Sequence, residues 1–223
     1  MKIHELLRLL LWPVISACVL LVLVTFFAQW VEGRSAILDY FLGIIDLRDE
    51  RTFGTWFEGC VFLLTGVSFF LVSRHHDLPL FGKIFFVLAA AGFCFLSADE
   101  SMSLHEFFGY EFEKLTGNVE GTRLQERGYS WVLLYGPVAL AMLGIMHRFY
   151  RTLCCRVRPA AHTLFAGAWL GITAVLLMEN AESWMVLFSK DLPYMTCFEE
   201  LFELMALMLF YSANLLIAEE HDL

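Results

Sequence analysis

Apolar residues along this chain come in long blocks separated by short polar stretches. Blocks near the ~20 residues needed to cross a ~30 Å hydrocarbon core fall at residues 6–30, 55–73, 80–98, 129–149, 161–178 and 199–218. None has the strand-type alternation of a membrane barrel, and a lone apolar segment in lipid satisfies its backbone only as a helix. The pattern predicts an all-α fold: a polytopic transmembrane helix bundle of about six spans, forming a single integral membrane domain over residues 1–223. The first block follows a short basic stretch (Lys2, Arg8), as a signal peptide does. It is too long for one and has no small-x-small cleavage site, so it is expected to remain as a span.

Between the spans, the apolar-rich segment 36–47, with Asp39 and Asp46, predicts a short helix lying in the outer interface. The third span is expected to continue as helix to about Leu115, where Gly117 and Asn118 supply a stop. Gly167 and Gly171 form a small-x-x-x-small face suited to close helix contact.

Composition narrows the class. Of 223 residues 59% are hydrophobic and 17% charged, below the roughly quarter usual in soluble domains, with 22 Phe. Soluble enzyme and disordered protein are excluded on that ground. A net charge of −9 argues against nucleic acid as a partner. Lys and Arg set the orientation. Segments 1–8, 73–83 and 147–160 hold eight in 33 positions, and the opposite loops 31–54, 99–128 and 188–198 hold seven in 65. That density difference predicts N-in and C-in in a membrane most consistent with the bacterial inner (cytoplasmic) membrane. Nineteen of the 24 acidic residues then fall on the outer side or in outer span halves. Trp30, Trp56, Trp131 and Trp184 sit at an outer aromatic belt and Trp12 near the inner one. The six cysteines have no metal-ligand spacing and read as small hydrophobes.

Acidic residues within spans are costly and ask for a partner or a role. Here they gather at one end of the predicted bundle: Asp99, His105 and Glu106 after the third span, Glu179 and Glu182 on the fifth, Glu199, Glu200 and Glu203 on the sixth. In a continuous helix Asp99 and Glu106 lie about 20° apart, with Glu100 pointing elsewhere toward water. Glu179 and Glu182 are i, i+3 neighbours. Glu203 is forced below the interface, because the apolar run from Leu204 to Ala218 is too short to span alone. Glu58, Glu100, Glu111 and Glu113 read more simply as residues capping helix ends at the water boundary. No Lys or Arg lies in an outer span half, so a metal, a cationic substrate or protons must neutralise the acids. The expected ligands to a divalent metal ion are Asp99, His105, Glu106, Glu179, Glu182 and Glu203. Glu199 and Glu200 are the candidate catalytic pair, in the second shell or as general base.

Among Mn, Fe, Zn, Mg and Ca, an oxygen-rich set with one histidine suits Mn²⁺, Mg²⁺ or Ca²⁺ better than di-iron or tetrahedral zinc. The string Leu96-Ser97-Ala98-Asp99-Glu100 with His105-Glu106, preceded by Gly54-Thr55-Trp56-Phe57 and followed by Glu199-Glu200-x-x-Glu203, resembles a group of uncharacterised bacterial polytopic membrane proteins. They share Asp-Glu-x4-His-Glu and a late Glu-Glu-x-x-Glu, and the resemblance implies no particular activity. Ser101-x3-His105 is also similar to the Ser-x3-His element of alkaline-ceramidase-type (CREST) hydrolases. That family's late His-x3-His is missing here, which removes two of its three zinc ligands.

Three functions follow. The leading one is a metal-dependent membrane enzyme acting on a lipid or lipid-like substrate from the outer face, through a metal-bound water activated by a carboxylate. Membrane lipids are then its partners. The second is a non-catalytic subunit or assembly factor that docks other membrane subunits through its acidic crown. The third is a cation or proton carrier or a sensor, against which stands the lack of any buried acid or base continuing the track inward.

Overall fold

The computed structural model describes residues 3–30, 35–45, 52–75, 78–116, 136–138, 140–142, 144–145, 148, 159–187 and 195–220. Among the described residues there is no strand. The named elements are α1 (Ile3–Trp30), α2 (Ala36–Ile45), α3 (Phe53–Ser73), α4 (Leu80–Met102), α5 (Leu104–Thr116), α6 (Pro159–Leu187) and α7 (Met195–Glu220). Five of them, α1, α3, α4, α6 and α7, are long and apolar enough to cross a membrane. The block at 129–149 lies mostly outside the described residues, and those described within it are helical.

The spanning helices run past the blocks that predicted them, and α3, α4, α6 and α7 do so farthest at the acidic end. α4 continues to Met102, α6 to Leu187, and α7 begins at Met195 rather than near residue 199. Hydropathy falls at the first carboxylate, whereas the backbone ladder passes through a charged turn without interruption. Past α4, one continuous helix was expected through residue 115. The chain instead breaks at Ser103, whose left-handed φ of 51° ends α4 and turns the backbone into α5. The 20° relation between Asp99 and Glu106 therefore does not hold. α2 is helical over Ala36–Ile45, with residues 46 and 47 of the predicted segment outside the described residues, and it leaves Ile37, Tyr40, Phe41 and Ile44 exposed, as a helix lying in an interface would.

Helices α3 and α7 form the centre. Of their apolar stretches 56% and 61% is buried, against 28–33% in α1, α4 and α6. They lie side by side and parallel: Thr65 Oγ1 reaches the Leu207 carbonyl at 3.5 Å, and the Asn214 amide donates to Ser68 Oγ at 2.9 Å. α4 packs antiparallel on α3, where Ser97 donates to the Gly59 carbonyl at 2.7 Å. α6 packs antiparallel on α7. The predicted close contact is there: a Cβ at Gly171 would stand 2.8 Å from the Ala206 Cβ, and one at Gly167 3.2 Å from Leu209. α1 runs antiparallel to α7 along its far side, with Tyr211 Oη donating to the Leu7 carbonyl at 2.7 Å and Phe26 edge-on to Phe198.

The core is aromatic. Phe69, with no exposed surface, stacks on Phe93 and meets Phe86, Phe165 and Phe210 at centroid distances of 5.1–5.9 Å. These rings come from α3, α4, α6 and α7, so one cluster holds the four helices that carry the acidic residues. Edge-on and offset ring pairs add about 0.5–1.5 kcal/mol each beyond their buried area.

Candidate metal centre

Because α3 and α7 start at the same end, their second and third turns bring carboxylates together. Thr52 caps α3: its hydroxyl accepts from the Thr55 amide, and the Thr55 hydroxyl in turn accepts from the Thr52 amide. Glu58 is therefore not needed at the helix end. It lies inside α3 with 1% exposure, facing α7, where its carboxylate stands against that of Glu200 and has no basic partner among the described residues. One oxygen each from Glu58, Glu200 and Glu203 lies within 4.8 Å of the others.

More acid surrounds these three. Asp99 and Glu100 of α4 and Glu179 of α6 stand close enough to Glu203 to act on its charge. Glu199, buried beside the group, meets Glu179 side chain to side chain. The four helices carry a single Lys or Arg, Lys83, sixteen residues before Asp99 in α4 and hence about 24 Å along the axis. Three ionised carboxylates no more than 4.8 Å apart repel by at least about 3 kcal/mol per pair at an effective dielectric near 20. Protons or a cation must offset that. The centre of a triangle with 4.8 Å sides lies about 2.8 Å from each corner, just outside the roughly 2.3–2.6 Å of calcium–oxygen contacts. A small inward movement of side chains would close the difference.

Asp99, Glu179, Glu199, Glu200 and Glu203, all singled out in the sequence, thus converge. Glu200, expected as a general base, stands among the three possible ligand atoms. His105 and Glu106 are on α5 and Glu182 is on α6, with their side chains outside the described residues. Two expectations are corrected. Glu58 does not mark a water boundary, and Glu100 does not point away, since it acts electrostatically on both Glu58 and Glu203. Glu111 is solvated, as expected, but it lies inside α5 and caps no helix end; it pairs at 2.9 Å with Lys114, and this hydrogen bond lifts the Lys114 ammonium above its ordinary range. Glu113 has its side chain outside the described residues.

One family model matches residues 12–218, nearly the whole chain, and its description is "Domain of unknown function (DUF8692)". The chain belongs to this family. Comparison with curated proteins and with solved structures found no match. The family match covers α3, α4, α6 and α7 from end to end except for the last two residues of α7, so the convergence of carboxylates lies within the family domain. Sequence reasoning underrated Glu58 because a lone acid near a span end is usually a cap. The signal that could have found it is Thr52-x-x-Thr55, which supplies the cap by itself and leaves Glu58 a turn too deep for that role.

Proposed function

We propose that this DUF8692 protein is an integral membrane protein that holds a divalent cation between Glu58, Glu200 and Glu203 and uses it on a lipid or lipid-like substrate at the outer face of the bacterial inner membrane. One observation carries the reading. A carboxylate with 1% exposure and no basic partner among the described residues faces two further carboxylates at ligand spacing. Buried acids without a basic partner are retained where they bind something. The three ligand atoms are all carboxylate oxygens, which favours Mn²⁺, Mg²⁺ or Ca²⁺ over Fe or Zn. Asp99, Glu100 and Glu179 add negative charge around Glu203 and are candidates to hold the cation's water, and His105, Glu106 and Glu182 are the remaining ligands to test. A cation here supplies Lewis acidity and an activated water. Glu199, in contact with Glu179, is the group to take up a proton beside it.

The topology belongs to the same proposal. α4 leaves the bundle at the acidic end, while α6 starts at the opposite end and runs back toward it. The chain between them has to return across, which supports a sixth span at 129–149. An even number of crossings puts both termini on one side, and the Lys and Arg density makes that side cytoplasmic.

The test is elemental mass spectrometry on protein purified in mild detergent without chelators, beside Glu58→Gln and Glu203→Gln. About one equivalent of a divalent metal in the wild type, lost in both variants while their thermal melting remains cooperative, is the expected result. Absence of stoichiometric metal from folded wild-type protein, before and after incubation with Mn²⁺ or Ca²⁺, would sink the proposal.

A further inference from the structure

Below the acidic end, the α3–α7 interface carries small polar side chains of the kind that let membrane helices pack closely. Thr65 Oγ1 donates to the Val61 carbonyl at 2.9 Å, and Ser68 Oγ donates to the Thr65 carbonyl at 2.6 Å. The Asn214 amide nitrogen donates to Ser68 Oγ at 2.9 Å. Thr65, Ser68 and Asn214 are each no more than 1% exposed. Helical geometry aligns them with the acids above. Thr65 lies about 20° from Glu58 around α3, and Asn214 lies about 20° from Glu203 around α7. Ser68 and Asn214 sit about 15 Å deeper than those two glutamates. The seam thus continues inward from the carboxylates with neutral polar groups in place of acids or bases.

One atom in the seam is left over. Asn214 Oδ1 is fully buried and has no hydrogen-bond partner among the described residues. A buried amide oxygen without a donor costs about 1–3 kcal/mol, and no bulk water reaches this depth in a bilayer to offset it. Three hydroxyls along these helices are committed elsewhere: Thr65 to Val61, Ser68 to Thr65, and Tyr211 to Leu7. None of these hydroxyls is left to donate to Oδ1, which has no partner among the described residues.

We infer that Asn214 Oδ1 and Ser68 Oγ hold a buried water molecule between α3 and α7. The two atoms can be spanned by one water. Amide oxygen and nitrogen are about 2.3 Å apart, and the nitrogen is 2.9 Å from Ser68 Oγ, so Oδ1 is within roughly 5.2 Å of that hydroxyl. Two ordinary hydrogen bonds of about 2.8 Å cover this distance. The water donates one hydrogen to Oδ1 and the other to the remaining lone pair of Ser68 Oγ, matching the two to four polar partners that buried waters have. An exchangeable molecule would then lie on the same interface as the carboxylates, some 15 Å along the helices from them. This site does not depend on whether the carboxylates bind a metal.

Pulsed X-ray hydroxyl-radical labelling after rapid mixing into oxygen-18 water tests this on the full chain in detergent. Tyr211 and Val72 lie within about one turn of Asn214 and Ser68 and have no exposed surface, so bulk radicals cannot reach them. Both are expected to be oxidised in the wild type. At Tyr211, whose ring adds the radical directly, oxygen-16 persists after mixing because the bound water exchanges slowly, while Val72, whose carbon radical takes its oxygen from dissolved O₂, reports by the extent of oxidation. The label is expected to disappear in Asn214→Leu and Ser68→Ala. No label at Tyr211 or Val72 in the wild type would overturn the inference, whatever the variants do. So would a thermal melting point that rises with sodium at constant ionic strength and loses that rise in Asn214→Leu, since a cation would then occupy the site.

Discussion

Glu58 shows what a neighbouring cap does for a charged side chain. With Thr52 and Thr55 closing the first turn of α3, the carboxylate one turn further on is available to face α7. Removing the cap tests this division of labour. Thr52→Ala is expected to cost about 1 kcal/mol of stability, read as a lower melting temperature in detergent, with metal content unchanged. If metal were lost while the fold persisted, Thr52 would belong to the site and not only to the helix end. At this scale the sequence was informative about which residue types gather and less so about which of them touch. Asp99, Glu179, Glu199, Glu200 and Glu203 could be named because their depth followed from where the apolar runs stop. Asn214, Ser68 and Thr65 escaped notice because a single small polar residue in a 20-residue apolar run barely lowers its hydropathy. Only the pairing of α3 with α7 shows that they share one interface.

At the level of elements, close helix contact sets the geometry of the acidic end. Gly171 lets α6 approach α7 so nearly that an added methyl would stand 2.8 Å from the Ala206 Cβ and 3.2 Å from the Phe202 carbonyl. Gly171→Ala is expected to destabilise the bundle by about 1–3 kcal/mol through overpacking and to weaken metal retention, because Glu179 and Glu199 meet across this same pair of helices. Ala206→Gly in the same chain should restore part of both, which a thermal melt and elemental analysis of the double variant would read. Failure of that rescue would mean the Phe202 carbonyl is the decisive contact. The Gly167/Gly171 stripe was legible because small residues four apart make a visible pattern. The break at Ser103 was not: serine adopts a left-handed φ only when its surroundings compel it, so nothing local announces the end of α4. That one residue removes the angular argument that joined Asp99 to Glu106.

For the whole molecule, the described helices alternate in direction except across the interval between α5 and α6. α1 and α7 lie antiparallel, so the start of one and the end of the other share a side, tied by Tyr211 and Leu7. Reporter fusions at the two termini and after α2 test the six-span reading. Both terminal fusions should report the cytoplasm and the one after α2 the opposite compartment. A split result for the termini would require an odd number of crossings. The helical class was plain from apolar run length alone, and five of the six predicted spans correspond to described helices long enough to cross. Parity supplies the argument for the remaining one.

The parallel pairing of α3 with α7 also bears on how the protein is made. The two helices that share the buried carboxylates are separated by more than a hundred residues of chain, and α7 follows every other described helix. At the usual pace of translation, about 5–20 residues per second, Glu58 enters the bilayer on the order of ten seconds before Glu200 and Glu203 are synthesised. During that interval α3 must be kept apart from lipid by the insertion machinery or by α4, which emerges directly behind it. A ribosome that stalls ahead of α7 leaves an acid stranded in a half-built bundle, a state that membrane quality control is well placed to recognise and clear.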